Sequence, residues 1–562
     1  MITLVSPSDT SLEKLESELE LLSSRKQAWV ETPVRKRIHY LETAATAADR
    51  VWDRWVEASC RAKGLDPYSP LAGEEWLLGP ALIARCIRLY REALVAGGQP
   101  RLPSLTTRPN GQPVARVFPG TVLERMMYLG MSADVWLDPS TGATQGAVYR
   151  DGAGPGRICL VLGGGNVSAI PPTDVLHKLL AENQVVLLKM NPVNAYLGPL
   201  LEEIFYPLVR DGFLRVIYGG VEVGEKACHH PLVDTVHITG SQHSHDAIVW
   251  GSSAAERKRR QKQGKPFLEK TITSELGCVT PILVVPGPWT ETELAYQARH
   301  AAGMISSNAG CNCVAGQLLV TSSGWSRRER FLTHVRRNLE RLPDRKAYYP
   351  GAHGRYRQFV ERYRQAEPLS RPPETCLPWT LISGIPPQDG EYGLENEAFC
   401  GLLTETSLES SDAAQFLARA TEFLNHSVWG DLSCVILLHP ETEAAHRRSL
   451  ETALEDLRYS TIGINLWGGI GFGLMVTPWG GAPGNTLENP GSGLGFVHNT
   501  FLLDRPVKTI LRAPFKTPYV PPWFPNNRNL REVGQRVTEF ETGPSFKSLA
   551  RALVAVLKSG PA

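Results

Sequence analysis

The sequence predicts an α/β protein built on parallel sheets with helices on their faces, and two observations carry that prediction. From residue 157 onward, apolar runs at Ile158 to Leu162 and Val185 to Leu188 flank a helical stretch around 172–181, and further strands follow at Leu214 to Tyr218 and Val236 to Ile238. This strand–helix–strand order is what parallel pairing requires, because a parallel strand is reached only through a long crossover that is usually a helix. The second observation is size with composition. At 562 residues, 42% hydrophobic and 21% charged, the chain is ordinary for a globular protein and several times the length of one domain, so two or three domains are expected.

The elements follow in order. Residues 11 to 100 are helix-patterned, with Leu12, Leu15, Leu19 and Leu22 at three- and four-residue spacing behind Ser11 as N-cap. Proline-rich, polar residues from 99 to 113 break this helical prelude. Val135 to Ala143 reads as a strand, a turn at Asp138-Pro139-Ser140, and the start of another strand. Past the alternating region, Gly480 to Gly484 and Pro514 to Pro525 are irregular. The chain closes on a helix that places Phe546, Leu549, Leu553, Val556 and Leu557 on one side and Lys547, Arg551 and Lys558 elsewhere. Docking on the body or on a second subunit is the expected role of that helix, with contact to a membrane surface as the lesser alternative.

Composition excludes several classes of function. The net charge of +2 signals no nucleic-acid partner. The run Arg257-Lys258-Arg259-Arg260-Gln261-Lys262 reads as a solvated loop. The ten cysteines are scattered, without zinc-site spacing or the density of a secreted disulfide scaffold. His229, His230, His243 and His245 have no carboxylate or cysteine spaced to share a metal, so surface positions and no metal site are expected. The first nine residues lack a basic region followed by an apolar core, and no run of about 18 apolar residues occurs, so a cytoplasmic protein is expected.

Chemistry concentrates in Ser307-Asn308-Ala309-Gly310-Cys311-Asn312-Cys313-Val314-Ala315-Gly316, a small polar loop between apolar segments. A thiolate nucleophile needs backbone donors and an unhindered approach, which Ala309, Gly310 and Ala315 allow. The alternative is a buried structural cysteine among small residues. Upstream, Glu275-Leu276-Gly277 precedes the strand-like Ile282 to Val285 and supplies a carboxylate.

Together the two segments resemble the aldehyde dehydrogenase superfamily, in which a Glu-Leu-Gly motif carries the general base and a later Gly-Gln-x-Cys motif the nucleophile. Here the second motif reads Gly310-Cys311-Asn312-Cys313, so the resemblance makes Cys313 the nucleophile, Glu275 the base and Cys311 a second thiol. It also makes Asn166, in Gly163-Gly164-Gly165-Asn166-Val167-Ser168, a holder of the oxyanion. Lys189 matches the lysine at the adenosine ribose, Gly220 and Gly224 a glycine turn near the pyrophosphate, and Thr239-Gly240-Ser241 a motif beside the cofactor. Glu397 and Phe399 match the pair at the nicotinamide ribose and ring. The family often has a glutamate three residues after the lysine, where it repels a 2′-phosphate; this chain has Pro192, which leaves NAD or NADP open as cofactor.

The resemblance implies two parallel-sheet α/β domains, one cofactor-binding and one catalytic, plus a small β bridging or oligomerisation element, with a homodimer or homotetramer as assembly. The expected division is a helical N-terminal part of the cofactor domain over 1–127, a bridging hairpin that joins a neighbouring subunit over 128–151, the dinucleotide-binding domain over 152–281, the catalytic domain over 282–480, and a C-terminal extension over 481–562 with a bridging segment and a terminal amphipathic helix, longer from about 500 than in the family. The implied reaction is NAD(P)-dependent oxidation of an aldehyde to an acid through a cysteine thiohemiacetal and thioester. Alternatives are an acylating or reductive relative acting on acyl-CoA or acyl-phosphate, and a non-enzymatic member of the fold.

Overall fold

The computed structural model describes residues 7–140, 142–152 and 154–560. Residues 1–6 of the N-terminal stretch and Thr141 of the expected hairpin lie outside the described residues.

The alternating region forms a six-stranded sheet in the order 493–494, 271–275, 235–239, 158–162, 185–189, 214–217, parallel except for its first, two-residue strand. Its central strands Ile158–Leu162 and Val185–Lys189 are apolar in succession rather than alternating, as burial on both faces demands. The crossover between them is the helix Ile170–Leu180, buried along its whole length.

The helical prelude is five helices, Leu12–Val30, Val34–Ala48, Trp52–Ala62, Ala72–Leu77 and Pro80–Val95. Ser11 caps the first: its Oγ accepts the Lys14 N–H at 3.2 Å, and Leu15, Leu19 and Leu22 turn inward while Leu12 stays exposed.

A second, eleven-stranded sheet runs 104–107, 113–118, 132–137, 506–512, 461–464, 433–437, 280–284, 316–322, 402–408, 380–382, 366–368. From 506–512 to 380–382 it is parallel; antiparallel strands finish both ends. The break expected over 99–113 contains Ser104–Thr107, paired with Pro113–Phe118. The short strand has no alternating pattern to betray it, because all its residues are exposed.

The strand expected from Val135 is Ser132–Leu137, but the second strand of that hairpin does not form: Gln145 makes an isolated bridge to Leu503, and Ala147–Arg150 is a helical turn. Ser132–Leu137 pairs instead with Pro113–Phe118 and Pro506–Arg512, and the latter pairs with Thr461–Ile464. In this chain the segment extends the large sheet.

Three further expectations change. The basic run is a helix, Ala254–Gln263, capped by Ser253 and ended by left-handed Gly264, with no buried residue. His245 is buried rather than at the surface, because the Gln242–Trp250 helix turns it inward with Val249 and Trp250. The terminal helix Phe546–Leu557 docks on Leu530–Thr542 through Leu549, Ala552 and Ala555, but Phe546 and Leu557 point outward, 71% and 77% exposed. Among the described residues no helix is long and apolar enough to cross a membrane.

Candidate active site

The two sheets meet where strand 271–275 ends and strand 316–322 begins. Glu275 is the last residue of its strand, fixed through its backbone: its carbonyl accepts the Gly240 N–H at 3.0 Å, and the next N–H, of Leu276, donates to Ser492 at 2.8 Å. Cys313 follows a tight loop in which Asn308, Ala309 and Gly310 all take left-handed backbone angles (φ 54°, 57° and 76°). Such a conformation costs a non-glycine residue on the order of 1 kcal/mol or more and persists only where surroundings impose it. Gly310 is required, since a Cβ there would lie 2.4 Å from the Cys400 carbonyl oxygen.

The surroundings are a buried polar network. The Asn308 side chain donates to the carbonyls of Asn166 (2.9 Å) and Cys311 (3.0 Å) and accepts from Lys63 Nζ (2.9 Å) and the Tyr348 hydroxyl (3.1 Å). Lys63 is neutralised by Glu75 at 2.7 Å, both side chains being buried. From the other side, Trp467 Nε1 donates to the Val314 carbonyl at 2.7 Å. Lys63, Glu75 and Tyr348 went unread in the sequence; the first two lie more than two hundred residues from the loop and carry no motif that could have announced them.

The structure brings Cys313, Glu275 and Asn166 together. The Cys313 thiol and the Glu275 carboxyl lie near enough for each to alter the other's affinity for a proton, and Trp479 adds a smaller influence on Glu275, whose Oε1 is buried without a hydrogen-bond partner. Asn166 Nδ2 donates to the Cys311 carbonyl at 3.1 Å, which sets its amide against the nucleophile loop. Burial is the larger cause of both proton affinities: it pushes Glu275 up to about 8, and with the neighbouring carboxyl it holds the Cys313 thiol well above its ordinary range. Cys313 is partly exposed, whereas Cys311 is 1% exposed, directs its thiol at the carbonyls of Ala309 and Phe399, and is pushed up to about 12 by burial.

Around this centre lie the other residues marked in the sequence. Glu397 packs on Gly277 so closely that a Cβ there would fall 2.1 Å from its Oε2, while its Oε1 is buried without a partner. Burial pushes Glu397 up to about 8, and Glu275 adds to the shift. Phe399 is left-handed (φ 45°), with the Tyr349 ring 4.9 Å away and the Arg355 guanidinium over its face. Gln317 ties this loop to the other sheet, accepting the Ala398 N–H at 2.7 Å and donating to the Cys278 carbonyl at 3.2 Å.

Farther along the smaller sheet, Lys189 ends its strand almost buried, and burial lowers its affinity for a proton, opposed by the charge of Asp9. Asp9 reaches that place because Thr10 clips onto Tyr218 at the end of the edge strand: its N–H donates to the Tyr218 carbonyl at 3.0 Å, and its Oγ1 accepts the Tyr218 N–H at 2.9 Å. Gly220 begins the helix Val221–His229, whose N-terminus no side chain caps; a Cβ on Gly220 would meet nothing within 4 Å, and one on Gly224 only Lys189 Cε at 4.0 Å. Thr239 donates to Asp174 at 3.0 Å, and Ser241 caps the helix Gln242–Trp250 through the Ser244 N–H.

A thiol with a buried carboxyl beside it, at the junction of two parallel α/β sheets, defines an aldehyde-dehydrogenase-like fold. Residues 166–350 match the model of the aldehyde dehydrogenase family, so the resemblance seen in the sequence is to that family. N-succinylglutamate 5-semialdehyde dehydrogenase of Novosphingobium aromaticivorans is 25% identical over 250 residues, 43% of this chain and 48% of the relative. 4-Trimethylaminobutyraldehyde dehydrogenase A of Danio rerio is 30% identical over 133 residues, 24% of this chain and 23% of the relative. The chain thus matches less than half the length of these curated relatives. The fold match is far longer: the NADP-dependent glyceraldehyde-3-phosphate dehydrogenase of Bacillus halodurans C-125, solved with NADP, superposes with a TM-score of 0.61 at 15% identity, over 89% of this chain and 91% of that one.

Proposed function

We propose that the protein oxidises an aldehyde to a carboxylic acid with NAD or NADP as cofactor, through a thiohemiacetal and a thioester on Cys313. The observation that carries this is the buried Glu275 carboxyl beside the Cys313 thiol, with its Oε1 lacking a hydrogen-bond partner. A buried acceptor without a partner is costly, and a water placed for attack on a thioester would relieve it.

The residues present fit a nicotinamide dinucleotide. The uncapped helix N-terminus at Gly220 leaves backbone donors and open space for a pyrophosphate. Lys189 offers an ammonium for the adenosine ribose, Glu397 an unpartnered oxygen for the nicotinamide ribose, and Phe399 a ring face. Thr239, Gly240 and Ser241 lie on the segment that also anchors Glu275 by its backbone. When bound, the cofactor supplies hydride acceptance.

The chain's own groups do the rest. Cys313 Sγ bonds to the aldehyde carbon as its proton is released to solvent, a loss that the Glu275 carboxylate beside it assists without keeping the proton. An amide has two N–H donors; Asn166 uses one on Cys311 and has the other for the oxyanion, together with the Cys313 backbone N–H. Once hydride has left the carbon, the thioester remains on Cys313. Glu275 then takes a proton from the attacking water, the C–S bond breaks, and the acid leaves with the thiol restored.

The test is product analysis with aldehyde and NAD or NADP, with and without coenzyme A. Free acid, formed at a rate indifferent to coenzyme A, supports the proposal; accumulation of an acyl-CoA would replace hydrolysis with acyl transfer.

A further inference from the structure

A cavity of about 290 Å³ leads away from the nucleophile. It begins at Cys313 and Trp467, passes Ile170 and Leu82, and reaches Met127 and Val556 at the terminal helix. Its size lies near the lower end of pockets that hold small organic ligands. Nearly every side chain on its wall is hydrocarbon or aromatic, which favours an apolar occupant.

The charged groups on the wall are spent on one another. Arg85 Nη1 donates to both oxygens of Glu541 at 3.0 Å, and its Nη2 pairs with Glu124 at 2.9 Å. Arg88 and the Tyr128 hydroxyl complete Glu541 at 2.7 and 2.6 Å. Glu74 is held by Arg345 at 2.8 Å. Two guanidiniums thus face two carboxylates in the buried cluster, so its charges balance and it offers no net charge to a charged end group, while Arg85 Nη2 is ion-paired with Glu124 without a hydrogen bond.

The far wall comes from the C-terminal extension. The helix Leu530–Thr542 lies against Ala72–Leu77 so closely that a Cβ on Gly73 would sit 2.2 Å from the Leu530 carbonyl oxygen, and one on Gly534 2.6 Å from Trp76 Cβ. Contact at backbone distance makes this helix a fixed wall of the cavity.

We propose that this cavity takes the long, uncharged hydrocarbon tail of the substrate, so that the preferred aldehydes are medium- to long-chain aliphatic ones. This rests on the proposed chemistry at Cys313 for its reaction, but not for its binding. Each methylene taken from water into the cavity should raise kcat/KM about fourfold until the far wall is reached.

The experiment has two arms. In the first, kcat/KM is measured for unbranched aldehydes from propanal to dodecanal and for 10-oxodecanoic acid as a charged-tail competitor. The expected result is a steep climb from propanal to decanal and a loss of at least about tenfold on adding the terminal carboxylate. In the second, 1-decanol binding to the full-length Cys313→Ala protein is followed by quenching of tryptophan fluorescence, since Trp467 and Trp523 line the cavity. Saturable binding of decanol and not of 1-propanol is expected, weakened by Met127→Trp, which fills the far end. A flat or falling chain-length series in an active enzyme, or absence of saturable decanol binding in a folded protein, overturns the inference. Decanol binding without oxidation of any aldehyde would uphold the cavity's ligand class and remove the proposed function instead.

Discussion

Replacing Glu275 by glutamine isolates the step that distinguishes hydrolysis from acyl transfer. The amide keeps the shape and loses the base. In the parent, burial lifts this carboxyl from an ordinary 4.5 to about 8, so it is mostly protonated at pH 7, with about one-tenth ionised. The sign follows: the base works only when ionised, so steady-state turnover should rise about tenfold between pH 7 and a plateau above about pH 9, and fall tenfold per unit below pH 7. The variant should still bind cofactor and form the thioester, releasing up to one reduced nicotinamide per site, and then stall at a rate about a hundredfold to ten-thousandfold below the parent. Its slow phase should lack the rise toward pH 9. Stopped-flow absorbance at the reduced-nicotinamide band reads burst and slow phase in one trace. A variant that cycles at the parental rate, or that keeps the parental pH profile, would show that Glu275 is not the deacylation base, and an acylating or reductive reaction would then account better for the site.

Three further outcomes are expected. Cys313→Ala should abolish oxidation and iodoacetamide labelling of the loop, while Cys311→Ala keeps most activity because that thiol is 1% exposed and turned toward carbonyls; peptide mass mapping of the adduct decides between the thiols. Asp9 is the carboxylate nearest in effect to Lys189, so NADH should bind more tightly than NADPH, and Asp9→Asn should move the ratio of their dissociation constants toward NADPH by about fivefold, the worth of about 1 kcal/mol of repulsion across 4 Å in water; calorimetric titration with both reduced cofactors measures it. Arg85→Met would leave Glu124 without its buried cation and Glu541 with Arg88 and the Tyr128 hydroxyl alone, a loss of about 3–5 kcal/mol, seen as a lower thermal midpoint together with a weaker preference for long aldehydes.

What the sequence made legible was local. The apolar runs of the six-stranded sheet, the Ser11 cap and the thiol loop each announce themselves within a few residues, and their strands stand within a residue of the expected bounds. The chemical centre was legible for the same reason, since Cys313 and Glu275 lie in short motifs and fold together at the sheet junction. What could not be read depends on chain segments far apart. Ser104–Thr107 is a wholly exposed strand defined only by its partner, and the basic run is a helix with no buried residue, so no apolar periodicity marks it. The absence of a carboxylate at Pro192 pointed to an unguarded ribose site; the Thr10–Tyr218 clip brings Asp9 to Lys189 from the other end of the domain. Arg85 meets Glu541 across 456 positions, a pairing no periodicity can express.

That division between local and remote is also a division of labour within the molecule. The stretch matching the family, residues 166–350, contains Asn166, Glu275 and Cys313, so the shared part of the chain holds the proposed reacting groups. The cavity beyond Cys313 is walled chiefly by segments outside it, the helices at 72–95 and 122–127 and the tail from 519 to 556. The tail also supplies Pro506–Arg512, which joins Thr461–Ile464 to Ser132–Leu137 in the large sheet. One C-terminal extension therefore completes the sheet behind the nucleophile and closes the space in front of it. Substitutions in the tail helices should change which aldehyde is accepted and how stably the body holds together, while leaving the thiol–carboxyl pair in place, because Glu275 and Cys313 are anchored through Gly240, Ser492, Asn308 and Trp467 rather than through those helices.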